Sequence, residues 1–192
     1  DNIRKYLDEN GFKKTKIFTL SDKYKDDDHL PEDVSSNLLA VCKTLEITHL
    51  IISTEPKAHF MYLEFALKNN MNVLTDKPIT VAKNMTSLHS IDKVRKQYYE
   101  ILDLAKKSKG TCKVMCQRQY HRGYEKIKDV LTDVVNKYKM PITNIDIFHS
   151  DGAWEMPHDL GKENHPYKYG YGKLFHSGYH FIDLLSDFIK IN

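Results

Sequence analysis

This chain lacks a cysteine framework, a membrane-length apolar run, a block of one charge and a glycine-rich phosphate loop, and each absence narrows what it does. Its three cysteines, Cys42, Cys112 and Cys116, are odd in number and form no CxxC. That pattern argues against a disulfide scaffold or a zinc knuckle and leaves reduced thiols in a cytoplasmic protein as the expectation. Apolar runs such as Leu50-Ile51-Ile52 are far shorter than the ~20 residues that span a bilayer, so no membrane partner is expected. The opening Asp1-Asn2-Ile3-Arg4-Lys5 is patterned like a helix rather than a leader peptide. With 29 basic and 26 acidic residues the net charge is only +3, and the lysines interleave with acids. No Arg-rich arm or basic run points to nucleic acid. Repeats, low-complexity segments, HExxH and GxGxxG are also absent.

What remains is the composition of a water-soluble folded chain, 41% hydrophobic and 29% charged over 192 residues, enough for one domain or two small ones. Residues 3–10 read as a helix stopped by Gly11, and residues 16–20 as a strand ending at Ser21-Asp22. A charged loop follows, then a helix over 34–45 with Leu38, Leu39, Val41, Cys42 and Leu45 on its apolar side. His49-Leu50-Ile51-Ile52-Ser53-Thr54 is a continuous β-branched run, the pattern of a parallel strand buried on both faces. Pro56 breaks it, and a helix is predicted over 59–68, then a strand over 71–75 running into Asp76-Lys77-Pro78. A helix over 94–107 follows a polar stretch, and a further strand covers 112–116. Strands alternating with helices at this spacing predict a doubly wound parallel α/β sheet.

After Gln117 the pattern changes. A long helix is expected over 124–138 and a half-exposed strand of antiparallel type over 142–149, followed by a long loop over 150–173 rich in His, Tyr, Gly, Pro and Trp154. These features divide the chain into residues 1–118, a partial Rossmann-like domain, and 119–192, part of an α+β domain with a mainly antiparallel sheet.

The densest chemistry lies at the end. Gly170-Tyr171-Gly172 leads into a predicted helix carrying His176, His180 and Asp183. At about 3.6 residues per turn, 176, 180, 183 and 187 fall on one polar stripe, with Phe181, Leu184, Leu185 and Phe188 turned to a core. Such a face suits proton transfer, a metal held by His176-x-x-x-His180 with His149, His158, His165 or Asp151 nearby, or plain solvation. Lys77 ends a strand at the carboxyl edge of the sheet, the usual ligand crevice of open α/β folds. Partial burial there would lower its pKa, although a surface lysine fits the same pattern.

Two strand ends and this stripe together resemble the Gfo/Idh/MocA oxidoreductases. Ile51-Ile52-Ser53-Thr54-Glu55-Pro56-Lys57-Ala58-His59 resembles that family's strand ending in Thr-Pro with a nearby His. Asn72-Val73-Leu74-Thr75-Asp76-Lys77-Pro78 resembles its strand ending in Glu-Lys-Pro. The Gly-rich run into His180-Phe181-Ile182-Asp183 resembles its motif Gly-Gly-x-x-x-Asp-x-Gly-x-His-x-x-Asp, and Gln117-Arg118-Gln119-Tyr120-His121 sits where its Arg-containing segment leaves the nucleotide domain.

The resemblance implies hydride transfer between a sugar, cyclitol or related polyol and NAD or NADP, in a protein that is homo-oligomeric through its C-terminal sheet. It makes Lys77 and His180 catalytic, with His176 and Asp183 beside them. Asp22, Ser53, Thr54, Pro56, His59, Asp76, Lys77 and Arg118 would line the cofactor, Asp22 favouring NAD by accepting from the ribose hydroxyls. Tyr120, Trp154, His165, Tyr167 and Tyr169 would meet the substrate. No metal is implied.

The chain departs from the family at three points: Asp76 stands for its Glu, His176 for its Asp, and no GxGxxG is present. The expectation is a piece of a longer enzyme. The rival expectations are a non-catalytic ligand-binding relative, and a metal-dependent hydrolase or lyase built on His176 and His180.

Overall fold

A computed structural model describes residues 2–12, 17–24, 26–150, 157–158, 160–162, 168 and 172–191, without the side chains of Asn2, Ile3 and Asp22. Helix α1 (Asn2–Glu9) ends before Gly11, whose φ of +83° suits a residue without Cβ. Residues 17–20 are mostly exposed and form no strand among the described residues, contrary to the expectation for 16–20. β-Branched and aromatic residues favour strands through packing and pairing, and the described chain offers Ile17-Phe18-Thr19 neither. Helix α2 (Glu32–Thr44) opens behind Pro31 with Glu32 and Asp33 in its first turn and closes with Lys43, charges that complement its dipole.

Strand β1 (His49–Ile52) leads through a 3₁₀ turn at Pro56–Ala58 into helix α3 (His59–Lys68). Strand β2 (Asn72–Thr75) follows, then helix α4 (Leu88–Lys107) and strand β3 (Cys112–Val114). Helix α4 starts earlier than its apolar pattern suggested, because Ser87 caps it by accepting from the Ser90 N–H at 3.2 Å. A 3₁₀ turn at Gln117–Tyr120 precedes helix α5 (Arg122–Tyr138). Residues 145–149 alternate in burial as a strand would, but the segment 142–149 pairs with no strand among the described residues. The last element is a π-helical turn, Leu174–Gly178, running straight into helix α6 (Tyr179–Ile189).

The three strands lie parallel in the order β1-β2-β3, with Ile52 opposite Thr75 and Thr75 opposite Val114. Parallel neighbours need crossovers, and α3 and α4 supply them. Side chains alternate across the sheet. Leu50, Ile52, Val73 and Cys112 pack with Leu38 and Cys42 of α2, Phe60, Leu63 and Leu67 of α3, and Ile101 of α4. Each such large apolar side chain removed from water stabilises the fold by about 1.5–3 kcal/mol. The opposite face holds Ile51, 69% exposed, and Leu74, so the expected burial of β1 on both faces is not met. Alternation decides this: the helices packed on the sheet, α2 to α4, all lie against one face.

One consequence of this topology is decisive for the site. The carboxyl ends of β1, β2 and β3 deliver Ser53-Thr54, Asp76-Lys77 and Met115-Cys116 to the same edge.

Candidate functional site

Lys77 leaves β2 just before a cis peptide to Pro78. Its backbone N–H donates to Asp76 Oδ1 at 2.7 Å, which folds that carboxylate back over the strand end. Its ammonium donates to the carbonyl oxygen of His176 at 2.6 Å and lies 5.5 Å from the centre of the Tyr179 ring. Burial lowers the Lys77 pKa below the usual lysine value, and Asp76 opposes that shift. The π-helical turn thus serves as an anchor point: its widened backbone presents a carbonyl to a lysine from the sheet.

That turn also rewrites the polar stripe. One π turn takes more residues than an α turn, so it breaks the regular spacing between His176 and His180. His180 lies on the buried side of α6 with Leu184 and Phe188, at 5% exposure, and not on a polar face. The Nε2 atom of His180 is 2.6 Å from the Tyr179 hydroxyl. Burial lowers the His180 pKa to about 4, with Arg118 and Lys77 adding to the shift and Asp76 opposing it. The imidazole is therefore neutral at physiological pH. Burial also pushes the Tyr179 phenol well above its ordinary value, with Cys116 and Asp76 adding to the rise.

Asp183 does not orient the His180 ring. Its carboxylate accepts from Gln119 Nε2 at 2.9 Å, while Asp187 accepts from Lys128 at 2.9 Å, so these acids join α6 to the 3₁₀ turn and to α5. Burial raises the Asp183 pKa, and Asp187 raises it further. Arg118 sits 5.0 Å from the centre of the Phe181 ring, on which His149 also stacks at 4.1 Å.

His59 is fully buried at 0% exposure, its ring nitrogens facing the carbonyl oxygens of Pro78 at 2.6 Å and Thr54 at 3.1 Å. It braces the β1 end against the Lys77-Pro78 segment and is closed to a dinucleotide, which corrects the cofactor-contact expectation. Ser53 and Thr54 are exposed at the strand end, and Pro56 is half-buried at the start of its 3₁₀ turn. Tyr120 is 70% exposed. Trp154, His165, Tyr167, Tyr169 and Asp151 lie outside the described residues, as does the Asp22 side chain.

A cleft of about 790 Å³ opens between α4 and α6. Lys77, Cys116, Tyr179 and Asp183 line its polar end, and Ile91, Val94, Tyr98 and Phe175 its apolar walls. Sequence reasoning missed this wall, although Ile91, Val94 and Tyr98 recur at helical spacing on α4. It also missed Tyr179, hidden between the motif residues Gly178 and His180. Among the described residues no three His, Cys, Asp or Glu side chains cluster as metal ligands, and His180 Nε2 is engaged by Tyr179, so the hydrolase alternative gains no third ligand here.

Residues 18–114, half of the chain, match the family GFO_IDH_MocA, described as an oxidoreductase family with an NAD-binding Rossmann fold. Among solved structures, the chain is similar to the WlbA (WbpB) dehydrogenase from Thermus thermophilus in complex with NAD and UDP-GlcNAcA. The TM-score is 0.53 at 18% identity, over 83% of this chain and 46% of that one. At that identity the likeness shows the fold, and this chain spans less than half the length of that structure. No curated protein matches the chain. The match over 18–114, the parallel sheet and the motif order agree: the chain belongs to the GFO_IDH_MocA family of oxidoreductases with an NAD-binding Rossmann fold.

Proposed function

We propose that this chain carries the hydride-transfer end of an NAD(P)-dependent oxidoreductase acting on a sugar, cyclitol or related polyol. The observation that carries this reading is the meeting of Lys77 with the His176–His180 turn at the carboxyl edge of the sheet. The division of labour follows the two proposed domains, residues 1–118 facing the cofactor and 119–192 facing the substrate. The solved structure similar to this chain holds a sugar nucleotide, which supports a carbohydrate-type substrate.

The residues present fit the nicotinamide end of a dinucleotide. Exposed Ser53 and Thr54 end β1, and half-buried Asp76 and Lys77 end β2. The sequence holds no GxGxxG to cradle a pyrophosphate. When bound, a nicotinamide supplies the hydride acceptor or donor. Lys77, with its lowered pKa, holds and steadies the substrate oxygen, and neutral His180 exchanges the hydroxyl proton. The apolar walls of the α4–α6 cleft keep water from the polar end. Burial, with Arg118 and Lys77 adding to it, keeps His180 unprotonated.

The deciding experiment measures NADH binding by fluorescence, on this chain and on a version preceded by a glycine-rich βα segment. The extended version should bind NADH and, supplied with NAD+ or NADP+ as hydride acceptor, oxidise a polyol or sugar. Lys77→Ala and His180→Ala should each lower kcat by about 10²-fold or more. An extended protein that binds no dinucleotide would overturn the proposal, as would full activity in both variants.

A further inference from the structure

The proton-transfer scheme above leaves one hydroxyl at the site unused. Tyr179 Oη lies 2.6 Å from His180 Nε2 and 3.3 Å from the carbonyl oxygen of Met115, the residue that follows β3. The two rings are held together, their centres 4.0 Å apart. Three groups therefore share two contacts, and only certain proton placements satisfy them.

The Met115 carbonyl can only accept, and a phenol has one proton. If that proton goes to Met115, the shorter contact must be filled by an N–H on Nε2. The imidazole is then the Nε2–H tautomer, and Nδ1 keeps a lone pair. If instead the phenol donates to Nε2, Met115 loses this donor and the ring proton moves to Nδ1. That atom is buried and has no hydrogen-bond partner among the described residues. The first placement satisfies both contacts, whereas the second satisfies one and strands a buried N–H. Orphaned buried donors are the rarer defect in folded proteins.

We propose that Tyr179 is a positioning residue whose hydroxyl, donating to Met115, accepts the Nε2–H of His180 and leaves Nδ1 as the one ring nitrogen with a lone pair. The inference rests on the proton-transfer role given to His180 above and assigns it to one nitrogen. The Nε2–H stays on the Tyr179 hydroxyl whether or not Nδ1 carries a proton, so the ring keeps its anchor in either charge state. Lys77, Arg118 and His149 face this ring as cationic or titratable neighbours, and Asp76 faces it as the acid. The raised pKa of the phenol keeps Tyr179 a donor rather than a phenolate across the working pH range.

The test is ¹⁵N NMR of the imidazoles in the intact chain, with the His180 signals assigned by their loss in His180→Gln. The expected result at neutral pH is a protonated Nε2 and a bare Nδ1. A proton on Nδ1 would overturn the proposal, and this measurement needs neither cofactor nor turnover. Tyr179→Phe keeps the ring and removes the hydroxyl, so the His180 signals should move toward a tautomer average. An unchanged tautomer in that variant also overturns the proposal. In an active extended protein, Tyr179→Phe should lower kcat on the order of tenfold to a hundredfold with KM within about twofold, less than loss of the base itself. An unchanged kcat there would count against Tyr179. Absence of turnover in the parent, with the Nε2–H tautomer observed, would count against the dehydrogenase reading alone.

Discussion

The ammonium of Lys77 is bound to the backbone oxygen of His176, 2.6 Å away and 99 positions on in sequence. This bond makes the π turn and the sheet edge one unit. The contact uses the carbonyl, which every residue type provides, so it does not depend on the side chain at 176.

Replacing Lys77 with Met should therefore cost about 1–2 kcal/mol of stability in urea unfolding. A charge-assisted hydrogen bond worth about 1.5–3 kcal/mol is lost, partly offset because an ammonium no longer has to be buried. In His176→Ala the carbonyl remains, so Lys77 should still titrate below the ordinary lysine range by NMR of ¹³C-methylated lysines. Return of Lys77 to that range in His176→Ala would show that the imidazole, not the backbone, holds it.

Stability should fall on acidification between about pH 6.5 and pH 4 because of His180. Its folded pKa of about 4 lies below the ordinary value of 6.5, so in this window the unfolded chain binds a proton that the native state refuses. The contribution is present above pH 6.5 and is lost as pH drops, up to about 3 kcal/mol in all. His180→Gln should flatten this limb of a urea-midpoint against pH plot. Asp26, Glu64 and Asp187, whose pKa values are lowered, would act at more acid pH. A limb that persists in His180→Gln would assign it elsewhere.

Cys116 is a reporter for the same pocket. Burial, helped by Asp183, pushes its thiol up to about 11. Asp183→Asn removes the charge and keeps an acceptor for Gln119, so the thiol pKa should drop by less than about one unit, burial being the larger cause. The pH profile of iodoacetamide labelling measures this directly. No shift at all would mean that the charge does not reach the sulfur.

Gly110 tests the fold rather than the site. A Cβ on it would stand 2.1 Å from the Met71 carbonyl oxygen, so the chain entering β3 passes against the chain entering β2. Gly110→Ala should destabilise by at least ~2 kcal/mol, since backbone rather than a flexible side chain must move. A melting temperature like that of the parent would contradict the close approach.

Much of the nucleotide-side architecture was legible in the sequence because it is local. The runs at 49–52, 72–75 and 112–114 are short, apolar and separated by helices of the right length, and each forms a parallel strand. The helices at 32–44, 59–68 and 122–138 follow from apolar spacing, and His121 caps the last of them. Asp76-Lys77-Pro78 and His180-Phe181-Ile182-Asp183 were visible as motifs because each is contiguous. Residues 17–20 and 142–149 form no strand among the described residues; a strand needs a hydrogen-bonded neighbour, which propensity does not supply.

The sequence by itself determined at which strand and helix ends the candidate residues fall, since periodicity and turn residues act over a few positions. Tertiary structure alone decided how they meet. It turned His180 into the buried side of α6, took Asp183 away to Gln119, sealed His59 between two carbonyls, and placed Tyr179 between a β3-end carbonyl and an imidazole. These outcomes depend on a π turn and on contacts as much as 99 residues apart, where packing and hydrogen-bond satisfaction act on groups that are not neighbours in the chain.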